Sequence, residues 1–154
     1  MKTTNYKDLP QIHKKMVKKA EEALKYAYNP YSKSYVAAAA LTTGGKIITA
    51  TNFANASTSV NLCAERSVIA TANAQGSRKI KAIALIGAKE KGQFKEPITP
   101  CGICRQFLFE INRITGEELI VICSNTKKDK IYTFTIHELL PYPYSRYHKI
   151  DKKK

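Results

Sequence analysis

An α/β fold in three layers, with helices on both faces of a mixed sheet of about five strands, is what this 154-residue sequence predicts. Three observations lead there. Apolar stripes of helical period alternate with short apolar runs bounded by glycine and charge. A strand, helix, strand succession over 80–123 calls for a parallel pair joined by a right-handed crossover. Two of the predicted helices begin at cysteines, which puts a candidate metal at the strand ends, where open α/β sheets bind ligands.

The first helix is read from Asp8 to Tyr28, with Pro10 in its opening turn and Ile12, Met16, Val17, Ala20, Leu24 and Ala27 on one stripe; Asn29-Pro30 ends it. Tyr35 to Thr42 and Ile47 to Asn52 form a hairpin around Gly44-Gly45. The run Val36 to Ala40 has little side-chain bulk, so a helix can pack closely on it. Asn52 to Leu62 is polar and irregular and leads to a helix opening at Cys63, closed by Gly76 as a C-cap. Ile80 to Gly87 is an apolar strand, Ala88 to Thr99 a charged loop, and Cys101 to about Arg113 a second helix. Leu119 to Cys123 is a buried strand, Ile131 to Phe134 a short edge strand, and Ile136 to Leu140 a last helical turn. Residues 1–154 are read as one domain, with a basic solvated tail from about His148.

Composition narrows the function classes. Apolar residues make up 44% of the chain, enough for a sizeable core without disulfides. No apolar stretch approaches the ~20 residues needed to span a bilayer, and no signal-like segment opens the chain, so a cytoplasmic protein with no membrane partner is expected. Four cysteines in that setting point to reduced thiols and metal. Lysine and arginine number 26 against 12 acids, a net charge of +14, which raises nucleic acid as a partner. The lysines are scattered and carry no interleaved aromatic motif, so nucleic-acid binding is the weaker reading.

The chemistry sits in Cys63-Ala64-Glu65-Arg66 and Pro100-Cys101-Gly102-Ile103-Cys104. A C-x-x-C pair opening a helix aims both sulfurs at one point, and Cys63 supplies a third from another helix. Three protein ligands around one zinc leave a tetrahedral position for water. Glu65, too close to Cys63 to chelate beside it, is placed to carry protons in metal-assisted hydrolysis. Three thiolates on Zn²⁺ sum to −1 and hold back ionisation of water; two helix N-termini and the guanidinium of Arg66 offset that charge. Cys123 ends a strand with no second C-x-x-C partner and is read as a free buried thiol rather than a fourth ligand. His13, His137 and His148 lack ligand spacing.

These two motifs, extended by Arg105-Gln106, resemble the cytidine deaminase family, in its small homo-oligomeric branch with three cysteine ligands. The resemblance runs from about Ala27 to Tyr144 and includes Pro30-Tyr31-Ser32, Asn52, Asn55-Ala56 and Glu138-Leu139-Leu140-Pro141. It implies the cytidine deaminase fold, one zinc per subunit on Cys63, Cys101 and Cys104, and a homotetramer whose neighbouring loops complete the site rim. It further implies a free cytosine nucleoside as substrate and a place in pyrimidine salvage, with Glu65 relaying protons to ring N3 and to the departing ammonia. Backbone groups at positions matching Ala64 and Thr99 would hold the base and the amine.

The sugar side departs from the family pattern. Where the family reads Asn-x-Glu-Asn-Ala, with the first Asn and the Glu gripping ribose hydroxyls, this chain has Asn52-Phe53-Ala54-Asn55-Ala56. Loss of that carboxylate is expected to cost about 1.5–3 kcal/mol of binding. A family aromatic is replaced by Ser34 and a family tyrosine by Thr58. The same chemistry on a nucleoside of altered sugar is therefore expected. An enzyme resembling blasticidin S deaminase is the second reading. A basic nucleic-acid-binding or editing module, or a zinc-stabilised binding module in which Glu65 is dispensable, are readings of other classes.

Overall fold

In a computed structural model describing residues 1–146, one sheet of six strands is covered by helices on both faces. The chain runs β1 (Lys2–Thr4), α1 (Gln11–Ala23), β2 (Ser34–Thr42), β3 (Ile47–Thr51), α2 (Ala64–Ala74), β4 (Ile80–Lys89), α3 (Gly102–Thr115), β5 (Ile120–Ser124), β6 (Ile131–Thr135) and α4 (Ile136–Leu139). The strand order is β1-β6-β5-β4-β2-β3. Of these six strands, β4 and β5 alone pair in parallel, with Leu85 opposite Cys123, and α3 makes the crossover between them. The basic tail and His148 lie outside the described residues.

Two expectations are corrected. The sheet has six strands rather than about five, because Lys2–Thr4 pairs antiparallel with β6, which is consequently interior and not an edge. The first helix is shorter than 8–28: Asp8 belongs to a 3₁₀ turn, Pro10 is the cap residue, and the chain tightens into a second 3₁₀ turn over Leu24–Tyr26.

Alternation along β2 explains the layering, since successive side chains point to opposite faces. Ala37, Ala39 and Leu41 share one cluster with Met16, Val17 and Ala20 of α1. Ala38 and Ala40 share the other with Val68, Ile69 and Ala72 of α2 and Leu108 of α3. All four alanines are fully buried, so their small size lets helices approach both faces, not one.

The end of α2 is a Schellman motif. Gly76 takes φ 74°, its N–H donates to the Asn73 carbonyl at 3.0 Å, and Ser77 N–H donates to that of Ala72 at 2.8 Å. Gly87 serves a different need. A Cβ there would lie 2.1 Å from Ile98 Cδ1 and 3.1 Å from the Phe94 ring, so its bare backbone lets the 90–101 loop fold back across β4 toward α3. The N-terminal amine of Met1 bonds Glu138, whose other oxygen accepts from Thr135 N–H in the capping box of α4.

Candidate zinc centre

Cys63 is the N-cap of α2 and Cys101 the N-cap of α3, while Cys104 lies one turn into α3. Local backbone dictates this. Cys63 and Cys101 are extended, and their carbonyls accept the first helical bonds from Ser67 and Arg105 at 3.0 and 2.9 Å. Their three sulfurs lie within 4.8 Å of one another, although the cysteines come from helices 38 positions apart in the chain at their starts (Ala64 and Gly102). A tetrahedral Zn–S bond of about 2.3 Å places ligand sulfurs about 3.8 Å apart, so the cluster needs only a small contraction to fit the ion. Soft thiolate donors at two positive helix ends suit zinc.

The proton inventory of the cluster is uneven. The Cys63 thiol is lowered to about 5, first by a hydrogen bond from Cys104 and then by Arg66, against burial. Cys104, the donor in that bond and itself buried, is raised. Arg66 Nη2 donates to the Asn61 carbonyl at 2.6 Å and sits 3.9 Å from Cys63 Sγ. Cys123 is fully buried but does not belong to the sulfur cluster, and burial pushes its thiol up.

Glu65 follows Cys63 by two residues, yet its side chain is 6% exposed. Burial raises its carboxyl above the usual carboxylate range, and the negative charge at Cys63 adds to that. A carboxyl that is buried, destabilised as an anion and placed beside the three sulfurs is suited to take up and release a proton.

A cavity of about 260 Å³ opens beside the sulfurs. One end is formed by Cys63, Ala64, Glu65, Thr99 and Cys101, and the other by the start of β2 and the segment after β3. Asn52 and Ala54 both line it, as does Ser34; Thr58 is exposed on a 3₁₀ turn and does not. Ala54 is buried, and its N–H donates to the Tyr28 carbonyl at 2.8 Å. Asn52 has both ends of its amide on the β2 backbone: Oδ1 accepts from Val36 N–H at 3.0 Å and Nδ2 donates to the Ser34 carbonyl at 3.1 Å.

Several wall residues carry no functional signal in the sequence. Asn29 was visible only as a helix terminator, and Asn61 and Ile98 carried no signal. The sequence motif assigns Arg105 no role. Its Nε donates to the Pro100 carbonyl at 2.8 Å and its Nη1 to the Leu139 carbonyl at 3.1 Å, bracing the loop that presents Cys101 against α4. Gln106 holds the backbone of Tyr144 through both N–H and C=O at 2.9 Å.

Residues 10–121 match the model of the cytidine and deoxycytidylate deaminase zinc-binding region. The chain belongs to the cytidine deaminase family. Cytidine deaminase of Halalkalibacterium halodurans is 36% identical over 126 residues, covering 82% of this chain and 89% of that protein. The crystal structure of cytidine deaminase from Burkholderia pseudomallei is similar with a TM-score of 0.75 at 34% identity, covering 86% of this chain and 98% of that one. A more distant likeness is blasticidin-S deaminase of Bacillus cereus, 30% identical over 149 residues, or 95% of this chain and 99% of that protein. Membership in the cytidine deaminase family brings with it a hydrolytic, zinc-dependent enzyme, and the three-cysteine cluster accommodates one ion per chain.

Proposed function

We propose that this chain hydrolyses the exocyclic amine of a free cytosine nucleoside, turning cytidine or 2′-deoxycytidine into the uracil nucleoside and ammonia. One observation supports this above the others: three thiols of two helix openings converge within 4.8 Å beside the buried carboxyl of Glu65. Cys63, Cys101 and Cys104 would hold zinc, which when bound supplies Lewis-acid activation of water.

The rest of the work falls to the chain's own groups. Glu65 accepts a proton from the attacking water and delivers it to ring N3. It then carries the second proton to the amine, so that C4 gains an oxygen and loses ammonia with atoms balanced. The Ala64 N–H at the start of α2 and the Thr99 backbone line the base end of the cavity and orient the ring. Arg66 offsets thiolate charge through Cys63. Asn52 and Ala54 border the sugar end.

The matches to cytidine deaminases favour a cytidine-type substrate over a blasticidin-type one, since they combine higher identity with a close structural likeness. No helix among the described residues is long and apolar enough to cross a membrane. A cytoplasmic role in pyrimidine salvage is proposed from the family's reaction alone. Exposed apolar side chains at the cavity mouth, Phe53 and Leu62, support a homotetramer in which neighbours cover them. The test is ammonia release and the ultraviolet change with cytidine and 2′-deoxycytidine, with zinc content measured in parallel. Turnover of neither by zinc-loaded protein sinks the proposal.

A further inference from the structure

The cavity wall away from the sulfurs is polar in composition but inward-looking in its bonding. Asn29 Nδ2 donates to Ser32 Oγ at 2.7 Å and to the Ser34 carbonyl at 2.8 Å, while its Oδ1 accepts from Ser32 N–H at 3.2 Å. Ser34 Oγ donates back to the Ser32 carbonyl at 3.4 Å. Asn52 is held at both amide ends by β2, and Asn61 Oδ1 accepts from Asn55 N–H at 2.6 Å. Among the described residues lining the cavity, Glu65 is the one carboxylate, and no lysine or arginine joins it. Between Asn52 and the 55–61 loop the cavity is lined by two apolar residues, the exposed Phe53 and the buried Ala54, neither of which can bond a hydroxyl through its side chain.

From this we infer that the sugar end does not depend on the 3′ hydroxyl: beyond the 2′ tolerance already contained in the deaminase reading, the enzyme accepts cytosine nucleosides that lack the 3′ hydroxyl as well, with Ala54 as the residue that sets this tolerance. The inference rests on the deaminase reading above and narrows it. The physical ground is asymmetric. A site whose buried polar groups wait for a substrate hydroxyl rejects the analogue lacking it by 10⁴–10⁵, because those groups are left unpaired. Among the described residues lining this wall no side chain leaves a buried polar atom without a partner, so nothing buried is left unpaired when the hydroxyl is missing. A residual bond from the second N–H of Asn52 or from the amide nitrogen of Asn61 is neutral and contributes about tenfold at most.

The experiment compares kcat/KM for cytidine, 2′-deoxycytidine and 2′,3′-dideoxycytidine in the zinc-loaded enzyme, together with their Kd values in Glu65→Gln by calorimetry. Cytidine and dideoxycytidine are expected to agree within about thirtyfold in both quantities, and a larger preference for cytidine overturns the inference. That overturning result, with turnover intact, leaves the deaminase reading standing; equal binding without turnover removes that reading instead. Ala54→Glu is expected to raise the cytidine preference at least tenfold, and an unchanged ratio in folded variant overturns the role of Ala54. Since Ala54 is buried, circular dichroism accompanies the variant, and the unmodified enzyme's ratio decides the matter if it does not fold.

Discussion

Glu65 shows how one residue's surroundings determine its task. It occupies the first turn of α2, where the helix N-terminus favours an anion, but it is almost fully buried, and burial wins: its carboxyl is raised. Glu65→Gln keeps the volume and removes a buried ionisable group, so the variant should fold, bind one zinc and lose activity. Removing a positioned proton carrier lowers kcat by about 10²–10⁴. Metal analysis and steady-state kinetics on the same preparation check both halves. Arg66 invites a separate prediction. It links the Asn61 carbonyl to Cys63, so Arg66→Gln should weaken zinc binding by about 10–100-fold, as loss of a ligand's supporting partner does. Competition with a calibrated chelator measures it, and unchanged affinity would reduce Arg66 to a packing role. Both residues were legible from the sequence because their spacing to Cys63 is local: two and three positions along one helix turn. Asn52 was legible through the loop motif, whereas Asn29 and Asn61 were not, since they reach the cavity only through the fold and bond mainly to local backbone, which leaves no pattern in side-chain chemistry.

At the scale of elements, the centre is a junction of two helix openings and one loop. The N-terminus of α2 and that of α3 are brought together by packing on the same sheet face, and a zinc ion on their cysteines would staple them. Chelation should therefore lower the melting temperature. Zinc at a hundred times its dissociation constant stabilises by about 2.7 kcal/mol, equivalent to roughly 5–10 °C for a chain of this size. A scan with and without chelator reads this directly. The loop before α3 depends on Gly87. Gly87→Ala drives a methyl group into Ile98 and Phe94; Ile98 lines the cavity, so its displacement narrows the site as well as straining the loop. The expected cost is about 1–3 kcal/mol of stability with a raised KM, which chemical denaturation and kinetics together detect. The elements themselves were mostly legible because apolar period and flanking glycines agree with their tertiary roles. The exception was β1: Lys2-Thr3-Thr4 has no apolar alternation, and it becomes a strand because β6 offers it an open edge.

The whole molecule presents an unusual combination of surface features. Its net charge of +14 opposes self-association, whereas apolar side chains stand exposed along α3 and around the cavity mouth: Ile103 is 68% exposed, Phe53 54% and Leu62 45%, with Phe107 one turn from Ile103. Ile103 lies inside the C-x-x-C pair, on the helix that carries two of the cluster's three sulfurs. Burial of such side chains stabilises by about 1.5–3 kcal/mol each, and several repeated across symmetric copies outweigh a scattered charge that salt screens. In the homotetramer proposed above, assembly and site would be coupled, because a subunit covering Ile103 would also shield the metal-bearing turn from water. Ile103→Glu should accordingly yield a smaller species in light scattering and, in the same sample, a loss of deaminase activity greater than the loss of zinc. The substitution is at an exposed position, so circular dichroism should remain that of the folded chain. A variant that stays fully assembled, or one that dissociates and keeps its activity, would separate the oligomer from the catalytic centre and leave the exposed face of α3 without that role.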